Sequence, residues 1–463
     1  MKQMTIREIV TAIEASMMFG NQDEKIKHVV SRCENIKDHT LFFHFGKRDI
    51  NKEMLSEMNN YVIVTDDKSV AETMNGKGTL LIVNDSKQAY WDFINYYRDQ
   101  FKIPIIGVTG TCGKTTTKEM MKHIFRKKYH THSTYLSQNG LQFNLNYLLG
   151  LEEKTDVAIF EMGVAYPGNI KVSGKYFKPT IGVITNIGEA HLDGCKTLDA
   201  YIKAKGEMLE ALDNKGMLII NADDEYSKKI PMDCYEGTVR LFGINNSSDY
   251  QASNIKYEES GMRYTLVHSK NMYEVYIPGH GEHNVYNSLA AIATTHMVGI
   301  PIQEAINRLR TFNEMDRHVK VHKGYRNHTI IDDTWSCNKT SVMSAIKVLK
   351  KIANEKKEIM VLGKMQRLGN KTKEQHLKLG NMIMEMGGVD HLITVGPDAA
   401  LTGKKVIELG MDASKVSFVD DAEKLDSVLE SICDKEPIIL FKMSLGKMKG
   451  AYREVVKKYC RKS

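Results

Sequence analysis

The 463-residue chain has no apolar run of the roughly 18 residues that a membrane-spanning helix needs, so no membrane span is expected. Its seven cysteines, at 33, 112, 195, 234, 337, 433 and 460, are odd in number and irregular in spacing, which gives neither a disulfide framework nor a zinc-ligand pattern. Reduced thiols and a cytoplasmic location follow as expectations. Aromatic residues do not interleave with basic ones, and the 64 basic residues against 57 acidic ones are spread along the chain. The net charge of +7 therefore reads as a solvated surface, and no nucleic-acid partner is expected. Internal repeats and low-complexity segments are also missing. The first twenty residues, MKQMTIREIVTAIEASMMFG, lack the separated basic and apolar regions of a signal peptide, and their spacing predicts an amphipathic helix. With 42% apolar and 26% charged residues the chain is globular, and its length accommodates two to four domains.

What is present centres on residues 105–121, IIGVTGTCGKTTTKEMM, where a β-branched run empties into a glycine-rich turn. Backbone N–H groups of such a turn converge on phosphate oxygens, and the helix that follows adds a favourable dipole. Lys114 can reach terminal phosphates and Thr115 can ligate Mg²⁺. The spacing departs from G-x-x-x-x-G-K-[ST], which would place glycine where Val108 stands; the glycines are Gly107, Gly110 and Gly113. The plain alternative is a helix start with an exposed lysine, but the preceding strand and three glycines favour nucleotide binding.

Before this stretch, residues 1–100 mix short strands (41–45, 61–65, 80–83) with helices and predict a small α/β domain. Residues 101–312 alternate apolar strands (156–163, 181–188, 217–224) with helical stretches, the pattern of a mostly parallel sheet that gathers ligands at its strand ends. Between 236 and 278 short alternating segments, VRLFGI, MRYTLVH and MYEVYI, predict added antiparallel strands. Two helices end near Phe312. A new strand–helix series fills 313–463 and resembles a dinucleotide-binding sheet, yet carries no G-x-G-x-x-G turn. Glu161 ends one central strand and His191 follows another. Asn284 and Asn287, three apart on a helix, share a face suited to reading an adenine edge.

Ten segments in order, TGTCGKTTTKE, FEMG, TNIGEAHLDG, KAKGE, NADD, GEHNVYNSLAA, DRH, IDDTWSCN, VLGKMQRLG and FKMS, resemble the Mur ligase family. Within it the chain is most similar to the branch that adds D-alanyl-D-alanine to a UDP-muramoyl-tripeptide. The resemblance implies an α/β fold in three domains: a first domain for the acid substrate, a central P-loop ATPase-like parallel sheet, and a Rossmann-like C-terminal domain for the amine. It implies an ATP-dependent, ADP-forming ligase in which a carboxylate becomes an acyl phosphate and an amine displaces the phosphate. ATP would lie on Gly110, Thr111, Gly113, Lys114, Thr115 and Thr116, with Asn284 and Asn287 at the base, Arg317 at the hinge and Asp333 near the ribose or the hinge. Two Mg²⁺ sites are implied, one on Thr115 and Glu161, the other on His191 and on Lys205 carrying a CO₂-derived carbamate. Lys114, Lys205, His191 and Arg317 would be catalytic. Ser31, Arg32, Asn338, Lys442 and Ser444 would contact substrates, and a monomer is expected.

Several positions depart from the family pattern. Val30-Ser31-Arg32 stands where the family has Asp-Ser-Arg, and the downstream Asp-Gly-His segment is missing around Gly46-Lys47-Arg48-Asp49. DDSYNANP becomes Asp332-Asp333-Thr334-Trp335-Ser336-Cys337-Asn338-Lys339, and Lys-Gly-Ser becomes Lys442-Met443-Ser444. Two further readings therefore stay open: a paralogue joining a different acid to an amino acid or amine outside peptidoglycan synthesis, and a nucleotide-binding regulatory protein without ligase chemistry.

Overall fold

The computed structural model describes residues 1–46, 50, 52–58, 60–74, 78–433, 436–444, 446 and 450–461. It divides into two compact units. The first comprises residues 1–105, 129–160 and 175–178; the second comprises 106–128, 161–174 and 179–463. Among the described residues no helix is long and apolar enough to cross a membrane, and none of the seven cysteines forms a disulfide.

In the first unit the predicted helix over residues 1–20 is confined to α1 (Ile6–Ala12). Thr5 starts it through a capping box with Glu8, and Glu14 in the left-handed region turns the chain away. The next residues form strand β1 (Ser16–Phe19), whose exposure alternates at period two rather than helical spacing. Strands β2 (His28–Val30), β3 (Thr40–Phe43), β4 (Tyr61–Thr65) and β5 (Thr79–Ile82) complete a sheet of order β1-β5-β4-β3-β2. Only β1 runs antiparallel. The runs TLFF and YVIVT are buried throughout, as parallel strands covered on both faces should be. Helix α2 (Ser86–Asp99) is capped by the Asp85 carboxylate, which accepts from the Lys87 and Gln88 N–H groups, and buries Phe93, Ile94 and Tyr97.

The phosphate-loop strand β6 (Ile105–Thr109) leads into helix α3 (Lys114–Phe125). Strands β7 (Thr131–Ser133) and β8 (Val157–Glu161) pair in parallel, and β8 ends at Glu161, where the chain enters the second unit. That unit continues through β9 (Ile181–Ile184), α4 (Leu198–Ala211), β10 (Met217–Asn221), β11 (Thr238–Gly243), β12 (Tyr250–Glu258), β13 (Gly261–His268), β14 (Asn271–Pro278) and α5 (Glu282–Met297). Its strands order as β14-β13-β12-β11-β10-β9-β6. The segment VRLFGI, expected to be antiparallel, is β11 and pairs in parallel with β10. The antiparallel addition is β12-β13-β14.

The C-terminal part of the second unit holds β15 (Lys320–Lys323), β16 (Thr329–Asp333), α6 (Lys339–Ala353), β17 (Glu358–Leu362), α7 (Thr372–Glu385), β18 (His391–Val395), β19 (Val416–Val419), β20 (Ile438–Lys442) and α8 (Ala451–Cys460). The sheet order is β15-β16-β20-β17-β18-β19, parallel except for β15. Ile331, Met360 and Leu440 pack with Val342, Ile346 and Leu349 of α6 on one face. Ile330, Ile439 and Phe441 pack with Val455, Val456 and Tyr459 of α8 on the other. Each of these fully buried aliphatic side chains contributes about 1.5–3 kcal/mol, which fixes the strand ends that carry Asp333 and Lys442.

Candidate active site

The loop between β6 and α3 depends on two glycines in the left-handed half of backbone space, Gly110 at φ 146° and Gly113 at φ 82°. A side chain at Gly110 would collide with the Thr185 hydroxyl, and one at Gly113 with the Asn287 amide oxygen. The segment after β9 braces the loop. The Thr111 N–H donates to Asn186 O at 2.8 Å, and the Cys112 N–H donates to Asn186 Oδ1 at 3.0 Å. In return the Thr185 hydroxyl and the Asn186 amide donate to Cys112 O. The start of α3 has no side-chain cap, so its first-turn N–H groups are left for an anion. Lys114 folds over the loop, with Nζ donating to Gly110 O at 2.8 Å and Thr111 O at 3.2 Å. Thr115 and Thr116 follow it, both buried.

One turn further along α3, Lys118 is wholly buried and lies 2.8 Å from Glu119 and 3.4 Å from Glu161. Two carboxylates and one ammonium thus meet beneath the first helical turn. The hydroxyl of Thr115 and the carboxylate of Glu161 are the oxygen donors that suit a hard cation.

A second group gathers at the end of β6. Lys205, on α4, is 1% exposed, and its Nζ donates to the Thr109 hydroxyl at 3.0 Å. Burial, reinforced by Lys114, holds its amine well below the ordinary lysine value. Tyr201, one turn earlier, connects three components: its hydroxyl lies 3.3 Å from Thr111 Oγ1, its ring lies 5.1 Å from Lys205 Nζ, and the His191 ring stacks on it at 6.1 Å. His191 takes a left-handed φ of 53°. Its Nδ1 is buried with no hydrogen-bond partner. Burial first, then Lys205, Lys114 and Arg367, lower its pKa to about 3. A neutral imidazole with an unpartnered buried nitrogen fits metal ligation, and a buried neutral amine is the form of lysine that CO₂ attacks.

The remaining residues in this unit are placed as follows. Asn287 sits against the phosphate loop, its Oδ1 3.3 Å from the Thr117 hydroxyl. The cap of α5 is Gly281, so Asn284 is not a capping residue; its Nδ2 donates to His280 O at 3.2 Å. The Arg317 guanidinium lies 4.7 Å from the Trp335 ring centroid, and His318 stacks on the same ring. Asp333 and Lys442 meet at 2.5 Å, and Lys442 also donates to Ser336 O at 2.8 Å. Asn338 caps α6 in a box with Ser341, while its Oδ1 also accepts from the Cys112 thiol at 3.4 Å. Lys339 reaches Glu189 at 3.1 Å. The Ser444 hydroxyl is buried without a hydrogen-bond partner.

In the first unit, Ser31 and Arg32 line a cavity of about 360 Å³ together with Phe42 and His44. Lys47, Arg48 and Asp49, where the family's Asp-Gly-His segment is missing, lie outside the described residues.

Sequence reasoning missed two roles. Lys118 figured only as part of a family signature, although its place three residues before Met121 puts it on the buried face of α3. Tyr201 shares a helix face with Lys205 four residues on, but its other partners, Thr111 and His191, come from separate segments that spacing cannot bring together.

Two family descriptions match the chain: the Mur ligase middle domain over residues 108–295, and the Mur ligase glutamate ligase domain over 317–444. The UDP-N-acetylmuramoyl-tripeptide--D-alanyl-D-alanine ligase of Bacillus subtilis is 26% identical over 449 residues, 96% of each chain. The protein of the same name from Buchnera aphidicola subsp. Baizongia pistaciae is 30% identical over 384 residues, 82% of this chain and 81% of that one. A crystal structure of MurF from Acinetobacter baumannii has the same fold, with a TM-score of 0.82 at 23% identity over 99% of each chain.

Proposed function

The chain belongs to the Mur ligase family of ATP-dependent, ADP-forming ligases, and from that premise we propose that it joins D-alanyl-D-alanine to a UDP-N-acetylmuramoyl-tripeptide. The observation that carries the substrate assignment is the match to a ligase of that name along 96% of the chain, which takes in the first unit as well as the ATP site. The reading keeps three domains, 1–100 for the acid substrate, 101–312 for ATP and 313–463 for the amine.

The loop N–H groups and the start of α3 would hold the ATP phosphates, and Lys114 would leave its carbonyl partners for the β- and γ-phosphates. Mg²⁺, when bound, neutralises phosphate charge; Thr115 and Glu161 would hold one ion, His191 and a carbamate on Lys205 the other. Lys118 would keep the Glu161 carboxylate oriented. Tyr201 would align Lys205 and His191 with the loop. A tripeptide carboxylate oxygen attacks the γ-phosphorus and ADP leaves; the dipeptide amine then adds to the acyl carbon and inorganic phosphate departs. Arg317 would reach the phosphates from the hinge, Asn284 and Asn287 would face the base, and Asp333 would stand near the ribose. Ser31 and Arg32 would meet the nucleotide part of the acid substrate, and Asn338, Lys442 and Ser444 the incoming amine.

A second reading, a paralogue acting on another acid and amine, is favoured by Met443 and by the Thr334–Lys339 segment, which differ from the family pattern at the amine side. ADP release by the purified chain decides. Turnover with UDP-muramoyl-tripeptide plus D-alanyl-D-alanine supports the first reading. Turnover only with other acid and amine pairs supports the second, and ATP binding without turnover on any pair removes both.

A further inference from the structure

At the β15 edge of the C-terminal sheet, on the face that carries α8, His322, Asp332 and Cys460 each offer a ligand atom within 4.8 Å of the other two. These residues come from three elements, β15, β16 and α8, and strand register explains their meeting. Lys320 on β15 stands opposite Asp332 on β16. His322 is two residues along the same face, which makes it the diagonal neighbour of Asp332. Asp332 and Ile330 share a strand face by the same period of two, and Ile330 packs against α8. The last residue of α8, Cys460, packs on that face too.

We propose that His322, Asp332 and Cys460 form a structural binding site for a single divalent zinc-class ion that ties the last helix to the edge of the C-terminal sheet. One imidazole nitrogen, one carboxylate oxygen and one sulfur are all zinc donors, and soft sulfur selects zinc over magnesium or calcium. Asp332 is buried and already oriented by neighbours. Thr334 donates to Oδ1 at 2.5 Å, and the Arg453 guanidinium lies 3.4 Å from Oδ2. Outer contacts of this kind orient metal-binding carboxylates, and each oxygen keeps a lone pair for a cation. Binding exchanges the Cys460 thiol proton, released to solvent, for a metal–sulfur bond. The ligands lie too far apart in sequence, at 322, 332 and 460, for a spacing motif to show them. The site is independent of the ATP-site ions, which use oxygen donors and His191.

The test is a cobalt(II) titration of the full chain without nucleotide or magnesium, read by absorption. A near-ultraviolet thiolate-to-cobalt band that saturates at about one ion per chain and is displaced by zinc supports the site. Cys460→Ser abolishes the band, and His322→Gln weakens cobalt binding by about 10–100-fold. Zinc also raises the melting temperature of the unaltered chain and leaves that of Cys460→Ser unmoved. If Cys460→Ser fails to fold, His322→Gln still decides. No band in the unaltered chain, a band that survives Cys460→Ser, or unchanged affinity in His322→Gln overturns the proposal.

Discussion

Asp333 and Lys442 are register partners on the neighbouring parallel strands β16 and β20, and their side chains meet at 2.5 Å with the lysine wholly buried. Burial holds the Asp333 carboxyl above its ordinary value, and Lys442, by charge and by hydrogen bond, offsets only part of that rise. Two residues expected at the nucleotide and at the amine substrate thus depend on each other. Anything that recruits Lys442 to a ligand must leave Asp333 compensated.

Removing one partner should therefore cost more than removing both. Lys442→Met is expected to destabilise the chain by about 3–5 kcal/mol, because it strands a buried carboxylate. Adding Asp333→Asn should recover part of that loss. A urea-unfolding cycle on the four proteins measures the coupling; additive losses would show that the contact carries none.

Lys205→Ala should lower turnover by about 10²–10³-fold, the usual effect of losing one group that stabilises transition-state charge. ATP affinity should stay within about threefold, since the loop, Lys114 and Thr115 remain. Lys205→Arg should be as inactive, because a guanidinium cannot become a carbamate. Turnover together with nucleotide titration checks all three outcomes, and an active Lys205→Ala would remove this lysine from the chemistry.

His376 gives a dependence of stability on pH. Its Nε2 accepts from the Met365 N–H and its Nδ1 pairs with Thr402, whose hydroxyl already donates to His376 O. The Nδ1 nitrogen must therefore be the donor, and the ring is held neutral. Burial lowers its pKa from the ordinary 6.5 to about 4. Between those values the unfolded chain binds more protons, so stability is full above about pH 6.5 and is lost as pH falls toward 4, by up to about 3 kcal/mol. Urea midpoints across this range should show the slope, and His376→Gln should make it shallower, the rest coming from His191 and His283, whose pKa values burial also lowers.

The sequence revealed the sheets and the phosphate loop because both rest on local patterns: β-branched runs such as YVIVT, and three glycines before a lysine. It misjudged the first twenty residues, where apolar positions at helical spacing overrode the period-two segment SMMF that pairs with β5. It missed β12, whose pattern YQASNIKYE is broken by a register shift between Ser253 and Lys256. Glu161 and His191 stood out by their place at strand ends, but their metal roles, and Lys205 altogether, came only through family likeness. Nothing local announces that Lys205 is buried beside Thr109, whereas Lys203, two residues earlier, is exposed.

The central claim is that the chain activates a carboxylate as an acyl phosphate. It is tested most directly with a UDP-muramoyl-tripeptide labelled with oxygen-18 in its terminal carboxylate, incubated with ATP and D-alanyl-D-alanine. The mechanism transfers one labelled oxygen from the carboxylate into each inorganic phosphate, in step with amide formation and ADP release. Amide and ADP formed alongside unlabelled phosphate would contradict it.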